Sequence, residues 1–102
     1  MKRFRLDMAQ AVRDLLIHLP PPLKRKVKAA LHSLAANPYQ AKALKDDLAG
    51  LRSFPVMRSR MILRIKGATV EIVAFGPRKD IYQRAATALR RALQSPQEQS
   101  KS

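Results

Sequence analysis

The stretch from Arg52 to Arg84 constrains the fold more tightly than any other. Met61, Leu63 and Ile65, then Val70, Ile72 and Ala74, recur at every second position, the period of a strand lying half-buried on a sheet. Lys66-Gly67-Ala68 separates the two runs, and Gly67 can supply the positive φ that a tight hairpin turn requires. The spacing predicts strands near 51–56, 59–66 and 69–76. A final helix should follow, capped by Asp80 and running to about Gln94, with Ile81, Ala85, Ala88, Leu89 and Ala92 inward. Arginines gather at the strand ends and again at Gly76-Pro77-Arg78-Lys79-Asp80. Residues 52–91 carry ten Lys/Arg against Glu71 and Asp80 alone, a local net of +8.

The chain before this segment reads as its cover. Residues 2–7 alternate enough for a short opening strand, and Asp7 can cap the helix that follows, in which Ala9, Val12, Leu15, Leu16 and Leu19 share a face. Pro20-Pro21-Pro22 ends that helix and suits the first turn of a second one. There Leu23, Val27, Ala30, Leu31 and Leu34 form the apolar stripe, Lys24, Arg25, Lys26, Lys28, His32 and Ser33 face water, and Asn37-Pro38 stops the run. Residues 39–50 read as a loop with a turn of helix. The expected fold class is α+β: an N-terminal strand, a helical hairpin, a three-stranded antiparallel meander completing a four-stranded sheet, and a C-terminal helix. The helices should pack on one face of that sheet.

At 102 residues the chain is expected to form a single domain over 1–94. The tail, 95–102, lacks apolar residues and is expected to be disordered. Without cysteine there is neither a disulfide nor a thiolate metal site. No apolar run nears the ~20 residues that span a bilayer, and Asp7, Arg13 and Asp14 interrupt any signal sequence. The cytoplasm is the default location. The net charge of +14, from 21 Lys/Arg against 7 Asp/Glu, points to a polyanionic partner, nucleic acid or an acidic protein.

Several chemistries drop out. There is no Gly-rich phosphate loop and no HExxH, His18 and His32 fall on separate helices, and no Ser/His/Asp set suggests itself. Asp46-Asp47 reads as a solvated loop pair rather than a metal site. Guanidinium groups, a loop lysine and a tyrosine remain.

Those residues carry a resemblance. A helix ending in Leu-Pro, then Leu34-Ala35-Ala36-Asn37-Pro38, Leu44-Lys45-Asp46-Asp47-Leu48-Ala49-Gly50-Leu51, Arg60-Met61-Ile62-Leu63-Arg64-Ile65 and Gly76-Pro77-Arg78-Lys79-Asp80-Ile81-Tyr82 together resemble the RelE/ParE superfamily of bacterial type II toxins. The likeness covers about residues 3–84. Its most specific part is the last segment, usually Gly-His-Arg-Lys-Asp-(Val/Ile)-Tyr, of which six of seven positions match. In the RelE branch the resemblance implies a small ribonuclease that enters the ribosomal A site and cuts mRNA there, with no cofactor and no metal. The ribose 2′-OH attacks its own 3′ phosphate and expels the 5′ oxygen. This needs a base, positive charge for the pentacoordinate phosphate, and a proton for the leaving oxygen. Carried over by position, Arg60 and Arg78 would stabilise the phosphate, since a guanidinium stays charged and grips phosphate with paired donors. Tyr82 would orient the substrate or act as base, and Lys79 would supply acid or charge. Arg52, Arg58, Arg64 and Arg84 are the candidate RNA contacts.

Each residue also has a plain structural reading. Arg60 can bond a carbonyl at a strand end, and Tyr82 can be a core tyrosine. Arg64, two pleat steps from Arg60 on the same sheet face, is either an RNA contact or the solvated side of its strand. Departures from the family pattern bear on catalysis: Pro55-Val56-Met57 stands where Arg-Val-Gly is frequent, Ser53 and Pro55 where lysines are, and Pro77 where histidine is. An evident general base is missing. The alternative the resemblance offers is the ParE type, a non-enzymatic inhibitor of DNA gyrase. Either branch implies an acidic cognate antitoxin, a toxin–antitoxin hetero-oligomer, and operator DNA contacted only through the antitoxin. The nuclease adds the ribosome and mRNA, and neither branch involves a membrane.

Overall fold

The computed structural model describes residues 3–101; for residues 78 and 92–101 it describes the backbone alone. Strand β1 (Arg5–Met8) leads into helices α1 (Gln10–Ile17) and α2 (Pro21–Ala36). Strands β2 (Lys42–Ala43), β3 (Arg52–Val56), β4 (Ser59–Lys66) and β5 (Thr69–Pro77) follow, and α3 (Arg78–Lys101) closes the chain. The sheet order is β1-β5-β4-β3-β2, with β1 parallel to β5 and every other pairing antiparallel. The α+β architecture, the opening strand, the helical hairpin and the meander match expectation in kind and order, though β1 runs Arg5–Met8 rather than 2–7 and α1 ends at Ile17.

The sheet has five strands rather than four. Lys42 and Ala43 pair with Ser53 and Arg52, a two-residue edge with no hydrophobic alternation to reveal it. Single 3-10 turns at Pro38–Gln40 and Asp46–Leu48 flank it. Neither expected aspartate cap forms. Asp7 lies within β1 and accepts from the Met8 N–H at 2.9 Å, while the residue before α1 is Ala9. Asp80 sits in the first turn of α3, where its charge complements the helix dipole. That helix continues to Lys101, past the expected end near Gln94. The expectation of a disordered 95–102 falls on residues whose side chains lie outside the described ones.

The helices cover both faces of the sheet, which corrects the one-face expectation. Val12, Leu16, Val27, Ala30 and Leu34 from α1 and α2 bury Met61, Leu63, Val70, Ile72 and Phe75 on one side. Ile81 and Ala85 of α3 bury Ile62, Ala74 and Leu51 on the other. The unbroken apolar run Met61-Ile62-Leu63, fully buried throughout, is what a strand covered on both faces requires. A bulge reconciles the faces along β5. Ile62 pairs with Ala74 while Leu63 pairs with Ile72, leaving Val73 extra; Ile72 and Phe75 can then both face α1 and α2. Two tight connections set the register. Gly67 takes φ +59° in the β4–β5 turn, as expected, and Met57 takes φ 56° in the β3–β4 turn, a strained choice for a residue with a Cβ.

Candidate phosphate-binding site at the β5–α3 junction

The motif Gly76-Pro77-Arg78-Lys79-Asp80 forms no loop. β5 runs to Pro77 and α3 begins at Arg78, so strand becomes helix without a connecting residue. Pro77 pairs with Ser59 and Gly76 pairs with Arg60, which brings this junction to the first rungs of β4, beside the Met57-Arg58 turn. Arg60 alternates with Ile62, whose side chain lies in the α3-side core, so Arg60 projects toward α3. It is partly exposed and has no side-chain hydrogen bond or ion pair among the described residues, so the carbonyl-bonding alternative is not realised there. Position 82 lies one turn beyond position 78, on the same flank of α3. Tyr82 is half-buried against the core of Ile62, Ala74 and Ile81, and Lys79 is exposed at the helix start.

Arg58, Arg60, Arg78, Lys79, Tyr82 and Arg84 thus belong to one end of one sheet face or to the turn bordering it. Arg84 is ion-paired to Asp80 at 3.4 Å with both side chains about half exposed. Arg52 and Arg64 lie elsewhere. Arg52 projects to the opposite face, donates to the Ala41 carbonyl at 2.8 Å and covers the Tyr39 ring at 5.2 Å from its centroid. Arg64 does share the face of Arg60, yet its Nε donates to the Glu71 carboxylate across the β4–β5 ladder. Cationic charge there is already matched, whereas the junction holds Arg58 and Arg60 uncompensated among the described residues.

Gly76 was assigned no role of its own in the sequence, yet α3 side chains press close against it: an added Cβ would meet Arg84 Nη1 at 3.0 Å and Ile81 Cδ1 at 3.5 Å. A glycine near the end of a strand, with no turn to justify it, was the available signal. A separate cleft of about 580 Å³ runs between α1 and α3 past Val73, Ala74 and Phe75, where β1 no longer flanks β5. Asp80, Arg84 and Arg91 line it beside walls that are mostly apolar, and Arg60 and Tyr82 do not line it.

Comparisons with known proteins agree with this architecture. The sequence profile described as "ParE toxin of type II toxin-antitoxin system, parDE" matches residues 2–82. The comparison with curated proteins gave no significant match. Among solved structures, the chain is similar to the RelBE2 toxin–antitoxin complex of Mycobacterium tuberculosis, with TM-score 0.67 and 28% identity over 78% of this chain and 97% of that one. It is similar to a double mutant of the Escherichia coli toxin RelE in the free state, with TM-score 0.70 and 16% identity over 85% and 97%. The RelE–RelB complex of Pyrococcus horikoshii gives TM-score 0.64 and 19% identity over 76% and 97%. On the match across residues 2–82 and the strand-to-helix junction it contains, the chain belongs to the ParE toxin family of type II toxin–antitoxin systems, on a fold it shares with the RelE toxins.

Proposed function

We propose that this toxin is a ribosome-dependent mRNA endonuclease acting in the cytoplasm. The observation that carries the reading is the placement of Arg60 opposite Gly76, facing α3 at the point where Arg78 begins that helix. A gyrase-binding surface has no need of cations gathered at one end of a sheet face; a phosphate changing from four to five substituents does. The 2′ oxygen forms a bond to its 3′ phosphorus, the bond from phosphorus to the 5′ oxygen breaks, and a proton passes from the 2′-OH to a base while the 5′ oxygen gains one. Arg60 and Arg78 stabilise the phosphate, Tyr82 orients the nucleotide or takes the 2′ proton, and Lys79 supplies charge or the leaving-group proton. Arg58 and Arg84 extend the RNA track; Arg52 and Arg64 join it only by giving up the contacts they hold. With no histidine at position 77, alignment of the reacting nucleotides falls to the ribosome, and cleavage of naked RNA should be slow.

Gyrase inhibition is the second reading, favoured because the matching profile is that of ParE. In either case the partner is an acidic antitoxin, as the antitoxin-bound state of the mycobacterial and archaeal neighbours suggests. An antitoxin segment neutralising the junction would silence the toxin within a hetero-oligomer, and operator DNA would be reached through the antitoxin. The deciding experiment maps cut sites in translated mRNA after induction and scores gyrase-linked DNA breaks in parallel. Cuts within codons of ribosome-bound messages support the nuclease; DNA breaks with intact messages would refute it.

A further inference from the structure

Glycine at position 76 is not demanded by the backbone. The glycines with positive φ are Gly50 and Gly67, so a side chain at 76 would meet no conformational penalty of that kind. What the fold uses is the missing Cβ. That Cβ would project to the α3 side, because Ala74, two residues earlier, belongs to the α3-side core. Arg60, its ladder partner, projects to the same side, and residues on one rung have Cα atoms about 4.5–5.5 Å apart. The empty half of this rung is filled by the guanidinium of Arg84, whose Nη1 lies 3.0 Å from where the Cβ would stand. Asp80, one turn earlier, tethers that guanidinium at 3.4 Å.

We infer that Gly76 and Asp80 are positioning residues that admit Arg84 to the rung of Arg60, so that two guanidiniums from strand and helix grip one phosphate. Asp80 offsets part of the charge on Arg84, and Arg60 has no counter-ion among the described residues; a phosphate gaining charge in its pentacoordinate state is the anion the pair would hold best. The inference rests on the nuclease reading for its substrate, but its geometry is that of an anion site.

The test combines Gly76→Ala, Arg84→Ala, their double variant and Asp80→Asn. It follows cleavage of ribosome-bound mRNA and, separately, binding of a 2′-O-methyl RNA oligonucleotide across a salt titration. Alanine at 76 presses chiefly on the far end of a flexible side chain, so thermal stability should hold. Arg84→Ala should lower kcat about tenfold or more with KM little changed. Gly76→Ala should reproduce much of that loss and add nothing in the Arg84→Ala background, because a sub-ångström displacement suffices to spoil alignment. Asp80→Asn, which leaves the strand untouched, should give a smaller loss that also vanishes without Arg84. Arg84→Ala and Gly76→Ala should each flatten the salt dependence of binding by roughly one phosphate contact. Wild-type behaviour of both Gly76→Ala and Asp80→Asn overturns the inference, as does an equal loss with and without Arg84. If wild-type toxin leaves mRNA intact while the salt slopes still flatten, the nuclease reading fails and the anion site stands. Cleavage with unchanged slopes and rates sinks the anion site alone.

Discussion

The two faces of the sheet are built differently. Toward α1 and α2, twelve buried residues form one apolar cluster that draws on both helices and strands β3, β4 and β5. Toward α3 the buried cluster holds five among the described residues: Leu51, Ile62, Ala74, Ile81 and Ala85. That second face also carries the Arg64–Glu71 pair, the buried hydroxyl of Ser53, which has no partner among the described residues, and the arginines of the junction. One side of a single sheet therefore supplies most of the apolar burial, at about 25 cal/mol per Å². The other accepts a thinner core so that charge can be held beside it. The division resembles the usual trade between stability and function, drawn here across a strand's thickness.

The contrast can be broken most decisively at the junction. Arg60→Ala and Arg78→Ala should each lower mRNA cleavage by about a hundredfold, as loss of a charge-stabilising donor does, and relieve growth arrest, while the unfolding free energy from denaturant melts changes by no more than about 0.5 kcal/mol. Undiminished toxicity in both variants would remove the nuclease site. Next come paired truncations of fully buried residues, one from each face. Leu63→Ala should cost about 4 kcal/mol and Ile81→Ala about 2, the upper and lower parts of the range for such changes, read from urea melts of the two proteins. Equal costs would mean that the α3 side is no thinner than the other.

Smaller effects sharpen the same comparison. Glu71→Gln should destabilise by roughly 1 kcal/mol, because the half-buried Arg64 loses its carboxylate; an RNA affinity that rises together with this loss would show Arg64 freed for binding. Ser53→Ala should be neutral or stabilising by up to about 1 kcal/mol, since it removes a buried hydroxyl with no partner among the described residues. A clear destabilisation would reveal a hidden hydrogen bond and a better-satisfied second face.

Much of this molecule was legible in the chain. The period-two runs placed β4 and β5 to within a residue, the proline triplet marked the break between α1 and α2, and Gly67 marked its turn. The six-of-seven motif at 76–82 announced the family that the match across residues 2–82 shows. The readings that failed share a cause. Asp7 and Asp80 looked like caps because capping was judged from neighbours in sequence, whereas strand pairing reached Met8 and the helix began as soon as β5 ended. β2 was hidden because two residues carry no period, and the pairing that makes them a strand comes from β3.

Sequence alone determined what depends on short range: which segments are helix or strand, where they break, that charge is lopsided, and which motif closes the sheet. Tertiary structure decided the rest, because it depends on groups far apart in the chain. The extra residue at Val73 reassigns faces along β5, so the side of the sheet that each apolar residue serves could not be counted from its period. Glu71 neutralises Arg64 across a ladder, and the bare Cα of Gly76 gains meaning only when a helix returns Arg84 to lie over it. Periodicity is local, but a face, an ion pair and a gap each need a second strand or helix to exist.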